Sequence, residues 1–298
     1  MPAIAACSFV FAASAVLAAA PQDPIQAPPS AGCERVLQPE DLAGRKLAAK
    51  DLLAVLRTKP ELPVAVAWTA GAAVALAQGS AARNELTVAM RRANLSDGGE
   101  DARVRLFTDV ADVVESLTFQ PRMEAELPVG FPGPQAVGEI ELREYPAYRM
   151  ARTAMRGGGS MGAFWPLFRH IESNGIAMTT PVQMDWNDDP ERPRPVNMAF
   201  LYGAPGITPG KVDKGVEVVE VPAATALSIG AIGDDRRDRV EAMGARLQAW
   251  LAAPDCRYEA AGPLRTMGYN SPMVPRDQRY FEVQLPIRTK QASAKSDG

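Results

Sequence analysis

Groups able to do chemistry are scarce in this 298-residue chain, and several of them fall between positions 169 and 189. The one histidine is His170. An imidazole alone does not run acid–base or acyl-transfer chemistry; it needs a nucleophile or a proton partner held beside it. No G-x-S-x-G elbow occurs to supply one. Asp185, Asp188 and Asp189 form a local carboxylate cluster, but the surrounding prolines make it read as a solvated turn. Gly157-Gly158-Gly159-Ser160 has the glycines of a phosphate cradle without the following G-K-[ST], so it reads as a linker into a helix. One histidine and no C-x-x-C pair exclude a zinc site of the usual Cys/His type. These residues predict a protein that is not an enzyme.

The stretch that must position them is Phe164–Trp186. Phe164, Leu167, Phe168 and Ile171 recur at i, i+3, i+4, i+7, which puts four large apolar groups on one helical face. Asn174-Gly175 is a stop signal, since glycine accepts the left-handed conformation of a C-terminal cap. From Ile176 the alternation of Ile176, Met178 and Thr180 with smaller residues predicts a strand running through Trp186. His170 falls about 110° from the centre of the apolar face at ~100° per residue, which predicts a solvated histidine on the flank.

Composition is that of a globular protein, 47% hydrophobic and 22% charged, with a net charge of -3. That charge and the lack of a basic stripe interleaved with aromatics exclude nucleic acid as a partner. Residues 1–20 are apolar enough for a signal peptide or an anchor, with a small-residue cleavage pattern at Val16-Leu17-Ala18. No Lys or Arg precedes Arg35, so anchoring in a membrane through the N-terminus stays open beside export with cleavage. The cleaved reading predicts a periplasmic or extracellular protein of bacterial type. Cleavage would leave Cys33 and Cys256, either a disulfide or two unrelated thiols.

Residues 21–32 are a Pro/Ala/Gln-rich spacer. Residues 33–127 read as a helical region, with helices from Pro39 to about Lys59, Val64–Gln78, Ala81–Ala93 and Asp101–Leu117. It carries no clustered chemistry and reads as a packing module or a contact for a protein partner. Pro128–Pro134 (PVGFPGP) reads as a hinge. Residues 137–288 then repeat an order. Strands at 140–142 and 145–151, a helix, and strands at 176–186 and 196–202 are followed by strands at 216–221 and 226–232, a helix with Val240, Met243, Leu247, Trp250 and Leu251 on one face, and strands at 257–261, 264–269 and 280–287. The phrases Ile140–Ala147 and Val216–Ala223 match in pattern, each ending in Pro-Ala. The prediction is an α+β fold: a distorted antiparallel β-barrel of two pseudo-symmetric β-α-β-β halves flanked by two helices, preceded by a small all-α region. Residues 289–298 read as a disordered tail.

Glu139–Arg149, Phe164–Ser173, Ile176–Val182, Leu264–Pro275 and Phe281–Ile287 resemble, in order, the SOUL heme-binding protein family. The resemblance implies the barrel fold with internal pseudo-symmetry, and heme or another tetrapyrrole in an apolar groove beside the first helix of this domain. In this chain the groove residues would be Phe164, Leu167, Phe168, Ile171 and Met178, with Arg169 pairing a propionate. His170 and Met178 would be the weak candidates for heme iron. The two-half architecture also resembles the drug-sensing domains of bacterial transcription regulators. Other lipophilic small molecules therefore stand as an alternative, as does a scaffold with no ligand.

Overall fold

The computed structural model describes residues 39–96, 99–155, 159–189 and 192–290. The expected signal, the spacer, Cys33, Gly157-Gly158 and the tail beyond residue 290 lie outside them.

Four helices open the described chain: α1 (Pro39–Thr58), α2 (Leu62–Val74), α3 (Ala81–Leu95) and α4 (Glu100–Thr118). Their ends follow local chemistry. Lys59 takes a positive φ of 44° after α1, and the Ser80 hydroxyl accepts the Arg83 N–H at the start of α3. Leu52, Val55, Leu86, Leu106 and Val110 meet in a core of their own. Gly44 sets the approach of α1 to the end of α2, because a Cβ there would lie 2.1 Å from the Ala75 carbonyl oxygen.

The rest of the fold is one curled antiparallel sheet. Its strands are β1 (Ile140–Tyr145), β2 (Tyr148–Ala154), β3 (Val182–Trp186), β4 (Pro195–Leu201), β5 (Glu217–Val221), β6 (Ala224–Ile232), β7 (Tyr258–Ala260), β8 (Arg265–Gly268) and β9 (Tyr280–Thr289). The order is β1-β6-β9-β8-β3-β4-β2-β5, with β7 paired to β9. Each half opens on a strand bent at a proline and continues into a helix, followed by two strands in the first half (β3, β4) and three in the second (β7, β8, β9). β1 passes into β2 through Pro146-Ala147, and β5 into β6 through Pro222-Ala223. The two bends face each other across one ladder, since Tyr145 pairs with Ala224 and Tyr148 with Val221. That double bend curls the sheet into a half-barrel, and it is the physical content of the repeated Pro-Ala phrase.

Helices α5 (Gly159–Ser173) and α6 (Arg237–Leu251) cover one face of the sheet. Phe281, Val283 and Leu285 of β9 point toward α6, while Tyr280, Glu282 and Gln284 take the opposite face, as a two-residue period requires. That opposite face is covered by residues 119–138. Phe131 is buried edge-on to Tyr145 and Tyr148, and Phe119 stacks on Tyr280. Val129 N–H bonds Gly203 O at 2.9 Å, and Val137 bridges to Gly230. The proline/glycine stretch read as a hinge is thus a packed strap, anchored by the aromatic at its centre.

Two strand expectations need correction. Residues 176–180 form no ladder. The Ile176 N–H bonds Ile171 O at 2.9 Å to close the helix cap, and the Thr180 N–H bonds Glu126 O of the strap at 3.0 Å. Pro181 has no N–H to contribute, so the strand begins at Val182. Asp185 also leaves the expected turn: it lies in β3, bonded to Gln183 at 2.7 Å and Asn197 at 3.3 Å, while Asp188 and Asp189 are exposed.

Candidate functional site

Helix α5 is held at its C-terminus and along its inner face. Gly175, at φ +62°, closes its C-terminus by donating to Glu172 O while Ile176 donates to Ile171 O. Ala163, Leu167 and Ile171 pack down on Met198, Phe200 and Tyr202 of the sheet. Leu167 and Ile171 are therefore the floor of the expected groove and are closed to a ligand. Phe164, Phe168 and Met178 join the same cluster but remain half-buried.

The accessible part of this face includes a residue missing from the expected set. Trp165 is 52% exposed and Met161 51%. Trp165 stands edge-on to Phe164, with ring centres 5.6 Å apart, and to Phe168 at 5.9 Å. Phe164 and Phe168 stack at 5.8 Å, and Phe164 meets Phe200 edge-on at 5.3 Å. Three rings on one helix, braced from below, present a rigid apolar edge. Helical periodicity alone passes over Trp165 because it marks the exposed crest.

Arg169 turns to the other flank of α5. There it lines a cleft of about 510 Å3 with Pro166, Glu172, Ser173, Asp213 and Lys214. Asp213 sits 3.5 Å from Lys211, so the cleft carries both signs of charge.

His170 is the clearest correction. The solvated histidine expected from its helical angle is fully buried. Its Nε2 lies 2.9 Å from the Tyr202 hydroxyl, and its Nδ1 lies 3.4 Å from Asn174 Nδ2 and 3.6 Å from Asp213. The cause is long-range. Asn174 bonds Lys211 in both directions, at 3.0 Å each way, and so draws the 211–213 loop across this flank.

The strap face holds a second polar assembly that sequence reading passed over. Glu282 is fully buried. Its oxygens meet Tyr280 Oη at 3.1 Å, Gln284 Nε2 at 2.9 Å, Ser228 Oγ at 3.4 Å and the Gln135 N–H at 3.4 Å. Arg265 donates to Gln284 at 2.9 Å and to Tyr148 at 3.2 Å. Burial, with the Glu282 charge second, pushes the phenols of Tyr145, Tyr269 and Tyr280 above their ordinary range. Strict period-2 alternation in FEVQLPI was the available signal: a carboxylate and an amide at consecutive same-face positions of a central strand.

The sequence model of the SOUL heme-binding protein family matches residues 134–286, from the end of the strap through nearly all of β9. The chain belongs to the SOUL heme-binding protein family. The match leaves α1–α4 outside the SOUL region. No curated protein matches this sequence. Among solved structures, the EcmrR C-terminal domain is similar at 14% identity and a TM-score of 0.41, over 51% of this chain and 98% of that one. A hydrolase from Listeria innocua is similar at 12% identity and a TM-score of 0.39, over 52% and 94%. These scores are too low to establish a shared architecture.

A SOUL ligand of the heme type asks for a flat apolar face, cations for its carboxylates and, at the iron, an axial donor. The Phe164–Trp165–Phe168 edge fits the first demand. Arg169 and Lys214, on the neighbouring flank, fit the second in kind. His170 does not fit the third, because both ring nitrogens face protein partners inside the fold. Met178 remains as a half-buried thioether in the same cluster as Phe168.

Proposed function

We propose that this protein binds heme or a related tetrapyrrole without catalysing a reaction, seating the macrocycle on the aromatic edge of α5. The observation that carries the reading is the exposure of Trp165 above two half-buried, mutually stacked phenylalanines. A flat ligand lying there removes apolar surface from water, worth about 25 cal/mol per Å2. Bound heme brings its own iron chemistry; the chain's part is to hold the ring with Phe164, Trp165, Phe168 and Met178 and to draw its carboxylates with Arg169. Axial ligation by His170 is not part of the proposal.

We further propose that the protein works outside the cytoplasm. Cys256 is disulfide-bonded, which suits an oxidising compartment and the apolar run at residues 1–20.

Trp165 supplies the test. Protoporphyrin IX quenches tryptophan emission when it stacks nearby, and the chain has four tryptophans. Titration should give saturable quenching whose amplitude falls sharply in Trp165→Phe. Equal quenching in wild type and variant would place the ring elsewhere. Stronger binding of tetraphenylphosphonium than of hemin would move the ligand to another class.

A further inference from the structure

A groove of about 580 Å3 runs between α1 and the segment that leaves α4, at the edge of the SOUL match, which contributes only Pro134–Val137 to it. That volume suits a small-molecule ligand, within the usual range of about 300–1,000 Å3. From Leu42 to Arg57 its helical wall is about 22 Å long at ~1.5 Å per residue.

The two components of this groove differ in character. Its floor is apolar: Leu42 is 48% exposed, and Leu53, Phe119 and Val137 are half-buried along it. Its charged residues are all basic. Lys46, Lys50 and Arg57 are exposed on the wall and have no ion-pair partner among the described residues. Arg45 also lines it but is spent on Glu139, 2.6 Å away and inside the fold. No acidic residue among the described ones lines the groove. Arg57 has a structural use near the carbonyl end of α1; Lys46 and Lys50 have none.

Gln135 stands at one end of the groove. Gln135 is buried, and its Nε2 donates to Glu139 O and Ser228 O, both at 3.0 Å. Those two acceptors fix which way the amide faces, and its Oε1 is left without a partner. That acceptor calls for a donor such as water, which neither an anionic head nor an apolar chain supplies, so the class of ligand rests on the basic wall and the apolar floor alone.

We propose that this groove binds a free single-chain amphipathic anion, with its carboxylate or phosphate at Lys46, Lys50 and Arg57 and its apolar chain along Leu42, Leu53 and Phe119. Inorganic anions lack the apolar half, and neutral amphiphiles leave the cations unpaired.

The experiment is calorimetric titration of the delipidated full chain with sodium dodecanoate below its micelle concentration. Saturable binding is expected, weakening as salt rises. The triple variant Lys46→Gln/Lys50→Gln/Arg57→Gln changes only exposed positions, so its thermal melt should stay cooperative and fall only slightly, by the loss of Arg57 from the end of α1, while affinity falls about tenfold or more. Dodecanol and inorganic phosphate should each bind far more weakly than dodecanoate, and saturating hemin should leave the dodecanoate isotherm in place. Absence of saturable binding, an unchanged affinity in the triple variant, or equal binding of dodecanol or phosphate overturns the proposal. So does displacement by hemin, which would mean one shared site, or association with phosphatidylglycerol vesicles in place of the free chain.

Discussion

Four phenols, those of Tyr145, Tyr148, Tyr269 and Tyr280, share the strap face with Glu282, and burial raises the pKa of each. An unfolded tyrosine ionises near pH 10. A group whose folded pKa is raised contributes stability that is complete below the unfolded value and is lost as pH climbs toward the folded one. These side chains therefore predict a native state that stays un-ionised through about pH 10 and then loses stability steeply. Absorbance at 295 nm followed with near-UV circular dichroism checks it: most phenolate should appear together with unfolding. Ordinary titration of these tyrosines in a folded protein would contradict the packing described. At this scale the sequence was only partly legible. The apolar period placed Phe164, Leu167, Phe168 and Ile171 on one cluster, as they are. It misplaced His170 because a helical wheel carries no information on a loop forty residues downstream.

At the scale of elements, two glycines in neighbouring helices have opposite meanings. A Cβ on Gly44 would strike the Ala75 backbone oxygen, whereas a Cβ on Gly71 meets nothing within 4 Å. Alanine is favoured over glycine in a helix interior by up to about 1 kcal/mol. Gly71→Ala should raise the urea midpoint slightly, and Gly44→Ala should lower it despite the same propensity gain. Equal effects would mean that α1 and α2 do not cross as described. The helices were legible from their caps and periods, to within about two residues at most ends. The strap was not. PVGFPGP has the composition of a flexible joint, and only its contact with Tyr145 and Tyr148, brought from elsewhere in the sequence, makes Phe131 a core residue.

For the whole molecule, Glu139 is the fastening point between the helical region and the half-barrel. It pairs with Arg45 of α1 at 2.6 Å and takes the Ala81 N–H at the head of α3 at 3.3 Å. The helices are thus joined to the SOUL region through a buried charge, and within that region Arg246 of α6 donates to Gly138 O at 2.8 Å, beside Glu139. The duplicated architecture could be read in advance because the Pro-Ala bend repeats in the sequence. The join could not, since Arg45 and Glu139 are 94 residues apart. The surface proposed above for the tetrapyrrole is the ringed edge of α5. Hemin titration followed at the Soret band, comparing wild type with Phe168→Asp, tests that surface most directly. A saturable shift in the wild type that is lost in a folded Phe168→Asp protein is the predicted result; a shift that survives the substitution unchanged would contradict it.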